Sequence, residues 1–213
     1  MCEQCSLLAH FYFRKVSMTS KYIISIILFI VWFYVLTVFK RVKQDFFFFI
    51  FGSVGAFLFL YTYILPAIQG PVIYAVTYLA GKIGEFTNTY GYNAEYGIIK
   101  LSNDGFPVNM YLNMECSGVL EIITYFSLIC FYPAYRIVER AVLCLSGISF
   151  IIVANVIRLM SIGLLVNNGI TSFYTAHVII GRFIFYVLMI IMYFYVFTKR
   201  QIVKQKVGEF NYD

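Results

Sequence analysis

Charged residues are scarce in this chain. Only 12% of its 213 residues are charged, whereas 62% are hydrophobic and the mean hydropathy is +0.82. Soluble domains carry about a quarter charged residues, so this composition excludes an ordinary soluble domain. The chain also lacks internal repeats and low-complexity linkers, and its length suits one integral membrane domain, residues 1–213. The net charge of +6 does not indicate nucleic-acid binding, because the basic residues lie in short loops and at both ends, where they orient spans.

The first residues show neither a cleavable signal peptide nor a complete zinc-binding pattern. The first apolar segment ends at Phe39 and is followed by Lys and Arg rather than by small residues, so no cleavable signal peptide is evident. Met18 is an alternative start to Met1. Cys2 and Cys5 form a lone C-x-x-C pair, with a histidine nearby but without the second pair typical of zinc sites. We therefore predict no metal site at this pair.

Long apolar segments predict an all-α fold, a polytopic bundle of transmembrane helices, because a crossing needs about 20 apolar residues. They lie at residues 22–39, 46–68, 71–86, 117–132, 141–166 and 176–198. Pro66 and Pro71 predict the end of the second segment. Lys82 and Glu85 interrupt the third, which is either a short span or an interfacial helix. The prediction is therefore six spans, or five if residues 71–86 lie on the membrane surface.

The loop charges predict the orientation of the last three segments. Arg136 and Arg140 occupy the loop between the fourth and fifth segments, and residues 199–206 are rich in Lys and Arg. Both regions are expected in the cytoplasm. Residues 87–115 carry three acidic residues against one lysine and are expected outside. The predicted location is the plasma membrane.

Cysteine is the first candidate for chemistry. Cys116 stands where the polar stretch meets an apolar run that is expected to start a helix, and helix N-termini and nearby cations stabilise thiolates. Ser117 and Gly118 follow, and such small residues leave room for a substrate backbone. A buried structural cysteine is the alternative. Cys130 and Cys144 are interpreted as small buried apolar residues.

Two further ionisable residues are expected at the same membrane depth. Arg158 lies inside a span, with Asn155 three residues earlier on the same face, and together they offer donors to an oxyanion or a carboxylate. The alternative is an arginine that snorkels to the headgroups. His177 is the one well-placed imidazole for a cysteine enzyme, although an interfacial histidine is the simpler interpretation. Gly181, one turn later, would admit a neighbouring helix, and Arg182 is expected to point away.

Three motifs in order resemble a known family. ECSGVLE, ANVIRL and AHVIIGRFIF are similar to the exosortase/archaeosortase family of membrane cysteine transpeptidases. In that family a Cys in C-S-G, an Arg in N-x-x-R and a His followed by Gly form the proposed catalytic set. The matching residues are Cys116, Arg158 and His177, with Asn155, Ser117, Gly118 and Gly181 in support. The resemblance covers about residues 70–198, the expected catalytic region, and is strongest to the compact type G exosortase of Gram-positive bacteria.

The resemblance implies a function and partners. The chain would cleave C-terminal sorting signals of exported proteins and transfer the proteins to a surface acceptor. Cys116 would attack a backbone carbonyl at the extracytoplasmic face, His177 would manage the proton, and Arg158 with Asn155 would stabilise the oxyanion. The expected partners are exported proteins with a hydrophobic C-terminal signal and membrane lipids, not nucleic acid. No cofactor is implied.

Two other function classes stay open. One is a non-catalytic membrane component of a surface-polymer export system, in which Cys116 is structural. The other is a small transporter in which Arg158 and Arg182 line an anion path. Outward clustering of the polar residues disfavours the transporter, because a path needs polar residues through the whole membrane.

Overall fold

Helices dominate the computed structural model, which describes residues 24–103 and 106–198. Four helical runs have the length and hydropathy of membrane spans, and a fifth apolar helix is shorter. They are Ile24–Arg41 (α1), Asp45–Phe86, Ile137–Asn167 (α5) and Thr175–Thr198, with Val119–Phe131 (α4) as the shorter helix. This confirms the predicted fold class, whereas helix lengths alone do not fix the number of spans. Our interpretations of Cys2, Cys5, Met18 and residues 199–206 lie outside the described residues.

Two of these runs contain wider π-helical turns. The run Asp45–Phe86 consists of Asp45–Phe59 (α2), the π segment Leu60–Ile64 (π1) and Leu65–Phe86 (α3). The last run consists of Thr175–Ile180 (π2), Gly181–Tyr193 (α6) and Phe194–Thr198 (π3). A π turn shifts the side chains that follow it relative to a regular α-helix, and such turns are frequent at functional sites.

The predicted break at Pro66 and Pro71 is wrong. The chain stays helical from Asp45 to Phe86, so residues 71–86 are a continuation of the preceding helix rather than a separate segment. Pro66 lies just after the π segment Leu60–Ile64, and Pro71 lies inside α3. At about 1.5 Å per residue this run of 42 residues is about 63 Å long, roughly twice the hydrocarbon core of a bilayer.

The chain divides into two compact units at Gly55. In the first unit, Trp32 Nε1 donates a hydrogen bond to Phe51 O at 2.9 Å. A Cβ atom at position 55 would lie 1.9 Å from Trp32 Nε1, so only glycine lets the two helices approach here. All the candidate site residues belong to the second unit.

A small antiparallel sheet occupies the polar stretch between α3 and α4, where we had predicted no strands. Its strands are Gly91–Asn93 (β1), Ile98–Asn103 (β2) and Phe106–Tyr111 (β3), in the order β1–β2–β3. Ile99 of β2 pairs with Met110 of β3, and both are buried. They share one core with side chains of α3 and α5, including Val76, Ala80, Leu159 and Ile162. The sheet is therefore fixed to the helices, and β3 leads directly into the segment that carries Cys116.

Tyr90 fills the space between α3 and α5 beside the sheet. Its ring lies against Gly84 and Gly163, where a Cβ atom would come within 2.3 and 2.5 Å of the ring. Its hydroxyl donates to Ala80 O at 2.9 Å. Burial raises the pKa of Tyr90 to about 12, so the phenol remains a donor at neutral pH. The two glycines thus allow one aromatic ring to join α3 and α5.

Polar side chains at the far end of α4, away from Cys116, bind backbone carbonyls. Arg140 donates from Nη1 to Cys130 O at 2.8 Å and from Nη2 to Tyr132 O at 2.9 Å. The last carbonyls of a helix have no partner within the helix, so Arg140 completes the end of α4. Tyr132 donates from its hydroxyl to Phe197 O in π3 at 3.1 Å. These contacts join α4 to α5 and to π3.

Candidate active site around Cys116

Cys116 lies in a tight turn between β3 and α4. The side-chain oxygen of Asn113 accepts hydrogen bonds from the backbone N–H groups of Glu115 (3.1 Å) and Cys116 (3.0 Å). The hydroxyl of Ser117 donates to Met114 O at 3.1 Å, across the same turn. An Asn side chain that binds the backbone two or three residues later is a standard way to build a turn. The turn therefore fixes the backbone of Cys116 before the helix begins.

Gly118 is the N-cap of α4 and has a positive φ of 79°. A residue with a Cβ atom is strained in this left-handed conformation. An added Cβ would lie 3.7 Å from Asn155 Cβ, which is ordinary van der Waals contact. We had predicted that Gly118 leaves room for a substrate, but α5 occupies this space. The positive φ of the backbone, rather than room for a substrate, therefore explains why residue 118 is a glycine.

Arg158 and Asn155 project from α5 towards the Cys116 turn. Arg158 Nη2 lies 3.9 Å from Cys116 Sγ, and its guanidinium lies 5.8 Å from the centroid of the Phe185 ring. Arg158 is only 4% exposed, which excludes a side chain that snorkels into the headgroups. Asn155 is fully buried and donates from Nδ2 to Cys116 O at 2.9 Å. The two residues therefore contact Cys116 from one face of one helix.

His177 reaches Cys116 from π2. Its Nε2 lies 3.4 Å from Cys116 Sγ, which is a hydrogen-bonding distance for sulfur. The imidazole stacks on the ring of Phe173, with centroids 5.5 Å apart and planes at 16°. One turn later, a Cβ at Gly181 would lie 2.8 Å from Ile162 Cδ1 of α5, so this glycine admits the neighbouring helix as predicted. Arg182 is exposed and makes no part of this cluster.

The thiol of Cys116, the guanidinium of Arg158 and the imidazole of His177 therefore lie together. Each belongs to one of the three sequence motifs. The sequence also matches the family described as Transmembrane exosortase (Exosortase_EpsH) over residues 5–194. The chain belongs to the transmembrane exosortase family. No curated protein and no solved structure matches it. The narrower resemblance to the type G exosortases stays a prediction.

The exosortase chain holds no evident metal-ligand set in the part that the structure describes. Within residues 24–103 and 106–198, no three His, Cys, Asp or Glu side chains come together in a way that could hold an ion. Cys130 and Cys144 are free thiols on α4 and α5, outside the Cys116 cluster. The chemistry available at the cluster is that of a cysteine nucleophile with a nearby base and a nearby cation.

Three residues around the cluster escaped the sequence analysis. Asn113 builds the turn, Phe173 stacks on His177, and Phe185 faces Arg158. Asn113 had a usable signal, because an Asn two or three residues before a functional position in a loop often forms such a turn. The aromatic contacts had none, because they depend on how α5, π2 and α6 pack.

Proposed function

We infer that this exosortase is a membrane-embedded cysteine transpeptidase that cleaves the C-terminal sorting signals of exported proteins and transfers the proteins to a surface acceptor. The observation that carries the proposal is the pair of distances at Cys116 Sγ, 3.4 Å to His177 Nε2 and 3.9 Å to Arg158 Nη2. A nucleophile within reach of a base, with a cation beside it, is the arrangement that covalent acyl transfer requires. Family membership points to the same activity.

The first half-reaction would make a thioester. His177 takes the thiol proton of Cys116, and Sγ attacks the carbonyl carbon of the scissile peptide bond. The carbonyl oxygen becomes an oxyanion, and the guanidinium of Arg158 stabilises its charge. When the intermediate collapses, the C–N bond breaks and His177 gives its proton to the leaving amine. The exported protein is then bound to Cys116, and its C-terminal signal is released.

The second half-reaction would return the enzyme to its starting state. An amine on the surface acceptor attacks the thioester carbon, and His177 accepts a proton from this amine. The C–S bond breaks, and the sulfur regains a proton from His177. If water attacks instead of the amine, the product is a free carboxylate, and the reaction is hydrolysis.

The surroundings of the cluster support this substrate class, which family membership suggests. Cys116 stands at the N-terminal side of the apolar helix α4, next to helices that are long and apolar enough to cross a membrane. A sorting signal with a hydrophobic helix can lie beside these helices in the bilayer and present the peptide that precedes it. The proposed site of action is the extracytoplasmic face of the plasma membrane.

Substrate processing tests the proposal directly. The gene would be deleted and restored, and exported proteins that end in a hydrophobic helix would be examined by mass spectrometry for loss of that helix. We expect the helix to be removed only when the intact gene is present. A set of exported proteins with unchanged C-termini in both strains would contradict the proposal and favour a non-catalytic membrane component.

The proposed orientation has its own test. Single cysteines would be introduced into residues 87–115 and into residues 199–206, in a chain in which every native cysteine, Cys116 included, is replaced. A membrane-impermeant thiol reagent applied to intact cells should label the first region and not the second. Labelling of residues 199–206 from outside would reverse the orientation and move the site to the other face.

A further inference from the structure

Two buried polar atoms beside Cys116 have no hydrogen-bond partner among the described residues. They are Oδ1 of Asn155 and Nε of Arg158. Asn155 is fully buried and Arg158 is 4% exposed. Because leaving a buried donor or acceptor unpaired is costly, such atoms are rare in folded proteins and call for a specific explanation. Here one is an acceptor and the other is a donor, and both belong to side chains that already contact Cys116.

The orientation of the Asn155 carboxamide is fixed by its partner. Cys116 O can only accept a hydrogen bond, so the atom of Asn155 that lies 2.9 Å away must be the Nδ2 donor. Oδ1 is attached to the same carbon and therefore faces another direction. We had expected Asn155 to direct donors at an oxyanion, but its amide nitrogen instead donates to the carbonyl of Cys116. The Oδ1 atom of Asn155 is therefore still free to accept a hydrogen bond from a ligand.

Arg158 offers the complementary atom. It follows Asn155 by three residues on α5, so both side chains leave the same face of the helix. Its Nη2 is directed at Cys116 Sγ, which leaves the Nε–H group on the edge of the same planar guanidinium. Together the two residues hold one unpaired acceptor and one unpaired donor on side chains that contact Cys116. A peptide backbone displays the matching pair, an N–H donor and a carbonyl acceptor.

From this match, and resting on the proposed function, we propose that Asn155 and Arg158 bind the main chain of the substrate next to the scissile bond. Asn155 Oδ1 accepts a hydrogen bond from a backbone N–H of the substrate, and Arg158 Nε donates to a backbone carbonyl. The site then recognises a secondary amide independently of the side chains. A substrate that carries a proline or another N-alkylated residue at that amide would lack the donor and leave Oδ1 unpaired.

The test uses small electrophiles that differ only in the amide hydrogen. N-methylbromoacetamide has one N–H group, and N,N-dimethylbromoacetamide has none. Full-length protein in detergent, with Cys130 and Cys144 replaced by Ala, would react with each probe, and peptide mapping by mass spectrometry would give the rate at Cys116. The ratio of the two rates, divided by the same ratio for free cysteine, measures recognition of the N–H and cancels changes in thiol reactivity.

We expect the wild-type ratio to favour the secondary amide by about tenfold, the factor that corresponds to one hydrogen bond of about 1.4 kcal/mol. Asn155→Ala should reduce the ratio to that of free cysteine. Asn155→Asp keeps an oxygen at this position and should retain most of the preference, even if the absolute rates change. Ser161→Ala, on the same helix but outside the cluster, should behave as the wild type.

The outcomes separate this proposal from the proposed function. If Cys116 reacts faster than free cysteine but does not distinguish the two probes, recognition by Asn155 is refuted while the nucleophile stands. If Cys116 reacts with neither probe, the covalent mechanism fails and this proposal fails with it. A preference that survives in Asn155→Ala would assign the recognition to another acceptor and would equally overturn the proposal.

Discussion

The two ends of α4 contact polar side chains in opposite ways. At the far end, Arg140 Nη1 and Nη2 and the Tyr132 hydroxyl donate to backbone carbonyls at the end of α4 and in π3, although Arg140 Nε has no partner among the described residues. At the Cys116 end, Arg158 and His177 are directed at a side-chain sulfur atom. Both ends hold an arginine among apolar helices, yet one arginine completes the fold and the other is aimed at a reactive group.

The difference shows how to tell structural from functional polar groups in a membrane protein. Carbonyls at helix ends and π turns need donors wherever water is excluded. Arg140 supplies such donors to the carbonyls of Cys130 and Tyr132. Among the described residues, the hydrogen bond of Arg158 goes to Cys116 Sγ and not to a backbone carbonyl. Its position beside Cys116 therefore points to chemistry. The predictions below test this division, starting with the largest expected effect.

Replacement of the sulfur should have the largest effect. Cys116→Ala and Cys116→Ser should each reduce substrate processing by more than about 10³-fold, because a serine hydroxyl is a much weaker nucleophile at this site. Processing would be followed as loss of a C-terminal tag from an exported substrate in cells. Cys130→Ala and Cys144→Ala are the matched controls and should process at the wild-type rate. Unchanged processing by Cys116→Ala would reject the covalent mechanism.

Removal of the base should be nearly as severe. His177→Ala should reduce processing by about 10²–10⁴-fold, since general acid–base catalysis contributes that much. The membrane level and the thermal stability of the variant in detergent should stay close to those of the wild type, because His177 is only half-buried. A variant that processes substrate normally at several pH values would show that another group moves the proton.

Replacement of Arg158 by another cation should reduce activity strongly, but less than removal of His177. Arg158→Lys keeps the charge, but an ammonium cannot reproduce the planar set of donors of a guanidinium. We expect a loss of about 10²–10³-fold in processing. Arg182→Lys, on the neighbouring helix, is exposed and serves as the control with no expected loss. Equal activity of the two variants would mean that only the charge matters.

The arginine at the far end should affect stability and not chemistry. Arg140→Met leaves the carbonyls of Cys130 and Tyr132 without their donors. We expect a loss of about 2 kcal/mol in stability, at about 1 kcal/mol for each hydrogen bond. Unfolding in mixed detergent would measure it, and the activity per folded molecule should be unchanged. If activity falls while stability holds, the contrast between the two ends of α4 is wrong.

The smallest effect is expected in the turn before the nucleophile. Asn113→Ala removes the acceptor for the N–H groups of Glu115 and Cys116. We expect about 1 kcal/mol of lost stability and a loss of activity of about fivefold, because the turn then holds Cys116 less firmly. Asn113→Asp keeps the acceptor and should restore most of both. If alanine and aspartate behave alike, the side chain does not build the turn.

Much of the architecture follows from hydropathy. The helices at 24–41, 137–167 and 175–198 agree with the predicted segments within a few residues, because a bilayer requires long apolar runs whatever their neighbours. The failures have local causes. Proline inside a helix usually ends or kinks it, so the continuity of the helical run through Pro66 and Pro71 was not predicted. The sheet was missed because its strands are short and alternate with polar residues, although Asp104-Gly105 between β2 and β3 is a known hairpin signal.

The candidate site likewise has features that the sequence predicted and features that it did not. The identities of Cys116, Arg158 and His177 were readable from the sequence, because ionisable residues are rare and costly in apolar segments. The distances between them were not, because they depend on the packing of a turn, α5 and π2, which are far apart in the chain. The π turn that carries His177 and the orientation of the Asn155 carboxamide have no signal in the sequence. Both follow from which partner atoms the folded chain brings within hydrogen-bonding distance. The sequence by itself determined which groups the candidate site contains, and only the tertiary structure decided which atoms of those groups face the sulfur.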